Sequence, residues 1–261
     1  MKFEHILIQK QDRVATITLN RPDRLNSFTG KMSNEMYESL KEMGEEEGIR
    51  VIILTGAGRG FCSGADVEFL AQLNREKDWE GFRGILIAGE KAVHQIQKMD
   101  KPVIAMINGP AAGAGLNLAL SCDIRIASEK AVFGETFIRL GLHPDWSGTY
   151  FLPRLVGEAK ATELMLTGEV IDAKEALRIG MVNRVVPHEK LEKATKELAE
   201  RLAGSPNTVI RLVKKAAHQS LHSDLETMLD YEESAQMKCF KLKDATEGLN
   251  AFLEKREPIF K

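Results

Sequence analysis

The sequence predicts an α/β core running to about residue 200, followed by a helical C-terminal region over residues 201–261. Three observations lead there. A buried strand, a glycine-rich turn and a helix occur in that order twice, about fifty residues apart. Apolar runs of strand length alternate with amphipathic helical stretches, which is the pattern of an α/β core. Beyond "AGSPNT", residues 203 to 208, the periodicity is helical throughout.

Taken in order, "HILIQKQDRVATITLNRP" alternates apolar and polar residues around a polar turn, so it reads as a β-hairpin closed by Pro22. "TGKMSNEMYESLKEMGEEEG" is a charged amphipathic helix ending near Gly48. "RVIILTG" is a buried strand, "GAGRGFCSGA" a glycine-rich loop and "DVEFLAQLNREK" a helix. After a long amphipathic helix through "EKAVHQIQKM", the series recurs as the strand "KPVIAMING", the loop "PAAGAG" and the helix "LNLALSC". "DIRIAS" and "AVFGE" are further strands, a helix begins near Trp146, and the tail runs through "NAFLEKREPIFK".

The chain has 261 residues, 43% of them hydrophobic and 28% charged, as in ordinary globular proteins. A formal charge of -2 gives no electrostatic reason to expect nucleic acid or an anionic membrane surface as partner. Cys62, Cys122 and Cys239 are widely spaced and odd in number, with no metal-binding cluster. That usage fits a reduced, cytoplasmic setting. No apolar run approaches the ~20 residues that span a bilayer, and the N-terminal segment has no apolar signal core.

Glycine turns that open helices suit anions, because the first helical amides lack internal partners. "GAGRGF" lacks the G-x-G-x-x-G spacing, and neither loop contains G-x-x-x-x-G-K-[ST], so nucleotide binding is disfavoured. A second reading is an oxyanion hole made by two backbone N–H groups, those of Ala65 and Ala114, one from each loop. Small residues there would let a substrate approach the backbone closely. The plainer alternative is a pair of tight strand-to-helix turns, with Asp66 as a helix N-cap.

The segments "GRGFCSGADV", "INGPAAGAGLNLALSCDIRIAS", "TGEVIDAKEALRIGMVNRVVP" and "NAFLEKREPIF" resemble, in order and over almost the whole chain, the enoyl-CoA hydratase/isomerase (crotonase) superfamily. The resemblance implies a spiral of β-β-α turns with a helical C-terminal region that trimerises. It implies an acyl-CoA thioester as substrate, with coenzyme A entering as part of it and no covalently bound cofactor or metal. A homotrimer or dimer of trimers is the assembly it implies. The family's oxyanion amides fall on Ala65 and Ala114. Arg24, Leu25, Gly64, Asp66, Val67 and Gly113 fall where the family contacts substrate, and Phe252 and Lys255 at C-terminal positions that reach CoA, in some members that of a neighbouring subunit. Plain tail packing is the alternative for Phe252.

The hydratases of this family use two glutamates, and this sequence has Asn117 and Phe137 at those positions. Asp145 remains. It matches the aspartate of a single-aspartate isomerase branch acting on ring-epoxide or unsaturated acyl-CoA in phenylacetate breakdown, and Asn117 in "GAGLNLAL" suits that branch. One carboxylate can carry a proton between two carbons of an enolate, as double-bond migration requires. Phe137 and Trp146 would line the pocket and raise that acid's pKa. The competing role for Asp145 is capping the helix that begins near Trp146. Glu135 is the rival acid; in an extended run it would share a face with Phe137 but sit ~6.6 Å away, reaching the site only if the strand shifts. His143, two residues before Asp145, is placed either to tune it electrostatically or to contact substrate. Cys62 reads as a small packing residue, Lys214 and Lys215 as a solvated helix face, and Asp123 as a structural hydrogen-bonding group. Alternatives to the isomerase are an enoyl-CoA hydratase using Asp145 with Glu135 or a water, and a catalytically silent acyl-CoA-binding subunit.

Overall fold

The computed structural model describes residues 3–260, so Met1, Lys2 and Lys261 of the regions expected above lie outside it. The chain opens with the hairpin, β1 (Ile6–Gln11) against β2 (Val14–Leu19), turning at Asp12 with a φ of 53°. It then forms β3 (Val51–Gly56), β4 (Val103–Ile107), the two-residue β5 (Ala111–Ala112), β6 (Ile124–Ser128), β7 (Val132–Gly134), β8 (Val170–Asp172) and β9 (Arg184–Val186). A six-stranded sheet runs β1-β2-β3-β4-β6-β9, parallel at every pairing after the hairpin. A second, small sheet runs β5-β7-β8, and single bridges between Phe28 and Ala65 and between Cys62 and Ala111 prolong it. The two successive circuits through β3 and β4 therefore each add one strand to the large sheet and a short piece to the small ladder before a helix begins. This is the expected β-β-α spiral.

The helices are α1 (Gly30–Glu45), α2 (Val67–Glu76), α3 (Trp79–Lys98), α4 (Ala114–Leu120), α5 (Gly148–Val156), α6 (Glu158–Thr167), α7 (Ala173–Arg178), α8 (Leu191–Ala203), α9 (Asn207–Ser220), α10 (Leu225–Phe240) and α11 (Lys243–Glu254). Their starts are chemical. The side chains of Thr29, Asp66, Asp78 and Asp224 each accept a first-turn backbone N–H. The last helix stops at Glu254, short of the predicted tail end, and Lys255 takes a left-handed φ of 56°.

The continuous apolar run of β3 is explained by burial on both faces. Ile52 and Leu54 enter the main core with Phe28, Met32, Met36 and Leu40. Val51 and Ile53 point the other way, onto Leu191, Leu198 and Ala199 of α8. So α8 covers the second face of the sheet, and the helices beyond Gly204 follow it. Among these, α10 buries no residue.

One expected strand continuation is absent. The chain leaves β7 at Gly134 and enters a 3-10 turn over Thr136–Leu140, so Glu135 and Phe137 do not share a strand face. A further correction concerns Lys214, which is 9% exposed and not part of a solvated face. Its Nζ donates to the carbonyls of Ile96 and Lys101 at 2.8 and 2.9 Å and to Asp123 Oδ2 at 2.8 Å.

Candidate active site

The two glycine loops meet. The first, between β3 and α2, is held by two carboxamides that sequence reasoning missed. Asn26 Nδ2 donates to the carbonyls of Ala57 and Gly60, and Asn108 Nδ2 to those of Gly56 and Gly58, each at 2.9 Å. Phe28 is bonded to the residues on either side of Ala65: its N–H donates to Gly64, and its carbonyl accepts from Asp66. In a parallel bridge of that kind the N–H of Ala65 itself points away from Phe28. From the second loop, Ala114 is the first residue of α4, where a backbone N–H has no helical partner. Gly64 joins the two. Its φ is +94°, and a Cβ there would lie 2.9 Å from the Ala112 carbonyl oxygen and 3.5 Å from the Ala114 nitrogen.

Gly64, Ala65, Gly113 and Ala114 line one cavity of about 240 Å³. Its walls are mostly apolar, with Phe28, Leu70, Phe82 and Ile85 joining the expected Val67, Phe137 and Trp146. Phe28 and Trp146 pack at a ring-centroid distance of 4.5 Å. Among the described residues lining it, Asp145 is the only carboxylic acid and Arg139 the only base. Asp145 and Trp146 also border a second, larger cavity of about 680 Å³, walled by Leu86, Val93, Tyr150, Phe151 and Leu221.

Asp145 does not cap α5. The cap position is Ser147, with no side-chain cap bond, and Asp145 Oδ1 is buried without a hydrogen-bond partner. Burial pushes its carboxyl up to about 7; its own backbone N–H and the charge of His143 oppose that rise. The Asp145 carbonyl, by contrast, is pinned, accepting from Gly148 N at 3.0 Å and Asn117 Nδ2 at 2.9 Å. Trp146 and Ser147 follow with φ values of 43° and 68°. Such left-handed conformations cost non-glycine residues ~1–3 kcal/mol each.

Glu135, expected to reach the site only by a strand shift, does not line the cavity; the turn out of β7 buries it instead. It is 1% exposed and lies close enough to Asp145 for the two carboxyls to interact. Burial pushes it up to about 8; the nearby Asn117 carboxamide opposes the rise, and Asp145 adds to it. Neither oxygen of Glu135 has a hydrogen-bond partner of normal geometry.

Asn117 is 0% exposed and stands behind the cavity wall, its amide on Asp145, so it is not a wall residue itself. Asp66 is turned inward, capping α2 and pairing with Arg21 Nη2 at 2.9 Å. Arg24 is exposed and pairs with Glu68, and half-buried Leu25 packs against Gly60. Phe252 is 83% exposed on α11 and borders neither cavity, and Lys255 follows it on the same surface. Cys62 is fully buried, its thiol pushed up to about 12 by burial.

The family model described as enoyl-CoA hydratase/isomerase matches residues 9–261. A 1,2-epoxyphenylacetyl-CoA isomerase of Escherichia coli K12 is 41% identical over 263 residues, covering 99% of this chain and 98% of that protein. A crotonyl-CoA hydratase of Syntrophomonas wolfei is 38% identical over 261 residues, covering 100% and 99%. The crystal structure of an enoyl-CoA hydratase from Bacillus anthracis superposes with a TM-score of 0.92 at 39% identity, covering 99% of each chain. The spiral fold, the pair of converging glycine loops and these full-length likenesses agree: the chain belongs to the enoyl-CoA hydratase/isomerase family.

Proposed function

We propose that this protein is an enoyl-CoA isomerase that polarises a thioester carbonyl with the N–H groups of Ala65 and Ala114 and moves one proton with Asp145. The observation that carries the reading is the wall of the cavity beside the two loops, where Asp145 is the sole carboxylic acid. Two amides on the thioester oxygen stabilise the enolate, and that lowers the barrier to removing the α-proton. The ionised Asp145 takes that proton from the α-carbon of a β,γ-unsaturated acyl-CoA, and the electron pair delocalises over the oxygen and the γ-carbon. The neutral acid then returns the proton to the γ-carbon, leaving the α,β-double bond and a regenerated carboxylate. A group with a pKa of about 7 is suited to both halves of that exchange near neutral pH.

Hydration asks for more, since one group must activate water while another protonates the α-carbon. The positions of the two hydratase glutamates hold Asn117 and Phe137, and this favours isomerisation. A hydratase reading draws on the names of relatives such as the crotonyl-CoA hydratase and on the second buried acid, Glu135. It requires rapid hydration of crotonyl-CoA. The exposed apolar side chains of α10 and α11, Phe240 and Phe252 among them, support assembly as a trimer or dimer of trimers.

The decisive experiment is Asp145→Asn. Isomerisation of a β,γ-unsaturated acyl-CoA falls about 10²–10⁴-fold in kcat, the usual worth of a general acid–base, with CoA-ester binding retained. Full turnover by that variant on every unsaturated acyl-CoA assayed overturns the reading.

A further inference from the structure

Trp146 is seated at a cost. Its φ of 43° is left-handed, a conformation bulky side chains rarely take, and its indole N–H is buried without an acceptor. The ring is nevertheless 4% exposed, held by packing. One neighbour is Phe28, and another is the backbone of α3 at Gly89. A Cβ on Gly89 would lie 2.0 Å from Cε2 and Nε1 of the indole and 2.4 Å from Cδ1. Glycine inside a helix is destabilising relative to alanine, and here its bare backbone is what leaves room for the ring.

That ring stands between two spaces. On α3, Phe82 and Ile85 line the cavity of about 240 Å³, whereas Leu86 and Val93 line the one of about 680 Å³. Among the described residues, the two cavities share only Asp145 and Trp146. The smaller lies below the ~300–1,000 Å³ of sites that bury drug-sized ligands, and the larger lies within that range. A short acyl group fits the first; a long alkyl chain needs space that begins beyond the indole.

We propose that Trp146 is a partition that confines the acyl group to the smaller cavity and so selects short acyl chains, and that Gly89 is the positioning residue that seats it. The proposal rests on the reading of the smaller cavity as the place of the thioester. The larger cavity, walled by Leu86, Val93, Phe151 and Leu221, accepts methylenes once the ring is trimmed.

The test measures binding of hexanoyl-CoA and dodecanoyl-CoA to the full-length protein by calorimetry; both esters are saturated, so turnover does not enter. The parent prefers hexanoyl-CoA. Each newly buried methylene is worth about fourfold in affinity, so Trp146→Ala shifts the preference toward dodecanoyl-CoA by about tenfold or more. Gly89→Ala drives the indole from its seat and weakens hexanoyl-CoA binding about fivefold, whereas the same change is silent in the Trp146→Ala background. Gly84→Ala, on the same helix but with nothing within 4 Å of the added Cβ, controls for helix propensity and leaves both affinities unchanged. An unshifted preference in Trp146→Ala overturns the proposal, as does a Gly89→Ala effect that is absent from the parent or persists without the indole. Should Trp146→Ala not fold, Trp146→Leu makes the same comparison. Asp145→Asn keeps the two readings apart: full turnover by that variant removes the role of Asp145 and leaves the chain-length preference standing.

Discussion

At the scale of single residues, burial away from water sets the acidity of two carboxyls, Asp145 and Glu135. Asp145 is pushed up to about 7 chiefly by burial, so the sign of its pH dependence follows. The base is the ionised form, and kcat/KM for isomerisation rises with pH through about 7. A pH–rate profile of the wild-type protein measures this directly, and a flat profile between pH 5.5 and 8 contradicts it. Gly64 gives a second prediction. Any side chain there has a strained φ and meets the Ala112 carbonyl at 2.9 Å. Gly64→Val therefore moves the two loops apart, displacing the Ala65 and Ala114 amides. A lost oxyanion donor costs ~10²–10³ in kcat, and a drop of that order is expected in an assay of the refolded, CD-matched variant. The glycine requirement was legible in the sequence as a small-residue loop. The sequence offered the convergence of two loops fifty residues apart beside a plain pair of tight turns, and only the family resemblance favoured it, because spacing along a chain carries no information about distance across it.

At the scale of elements, the joint between α9 and the core decides how the C-terminal helices are held. Lys214 Nζ on α9 fills an acceptor cage of two carbonyls and Asp123, and His218 Nε2 one turn later lies 3.2 Å from Asp123 Oδ1. Asp123 also accepts from Val103 N at 2.7 Å, tying the cage to β4. Burial alone would push Asp123 up, but the His218 hydrogen bond and the Lys214 charge outweigh it and hold the carboxyl below its usual range. A depressed carboxyl contributes stability above its unfolded pKa of about 4 and loses it as pH falls through the folded value. Lys214→Ala leaves that carboxyl and two carbonyls short of a donor, a change worth ~3–5 kcal/mol, which urea unfolding at neutral pH measures. A shift below about 1 kcal/mol would mean that the cage is incidental. From sequence, "RLVKKAAH" looks like a solvated face, because lysine is almost never buried unless paired. Its partners sit on α3, after it and on Asp123, out of reach of any local pattern. The same limit explains Glu135. Alternation along "VFGETF" extends the strand, whereas the tertiary fold turns the chain at Thr136 and carries the acid inward.

At the scale of the whole molecule, the sheet and both its faces are accounted for within one chain, but the last helices are not. On α10 no residue is buried, and Leu225, Leu229, Met237 and Phe240 are 70%, 48%, 51% and 66% exposed. On α11 Leu249, Phe252 and Leu253 are 55%, 83% and 77% exposed. A monomer rarely leaves so many large apolar side chains in water, and closed symmetric assembly is the usual way to cover them. That surface supports the proposed trimer, in which exposed Phe252 and Lys255 gain a use, since residues remote from their own chain's cavity can face a neighbour's. Light scattering should then return three or six times the 29.1 kDa chain mass. Phe252→Asp combined with Leu253→Asp places charges on that surface, so the assembly dissociates while the far-UV spectrum, dominated by helices and sheet folded within the chain, is retained. If α10 and α11 form the interface, dissociation also lowers the melting temperature and makes it independent of protein concentration, whereas the parent's rises with concentration by mass action. A parent that elutes and scatters as a single chain at micromolar concentration would contradict the assembly and leave Phe252 a solvent-exposed tail residue.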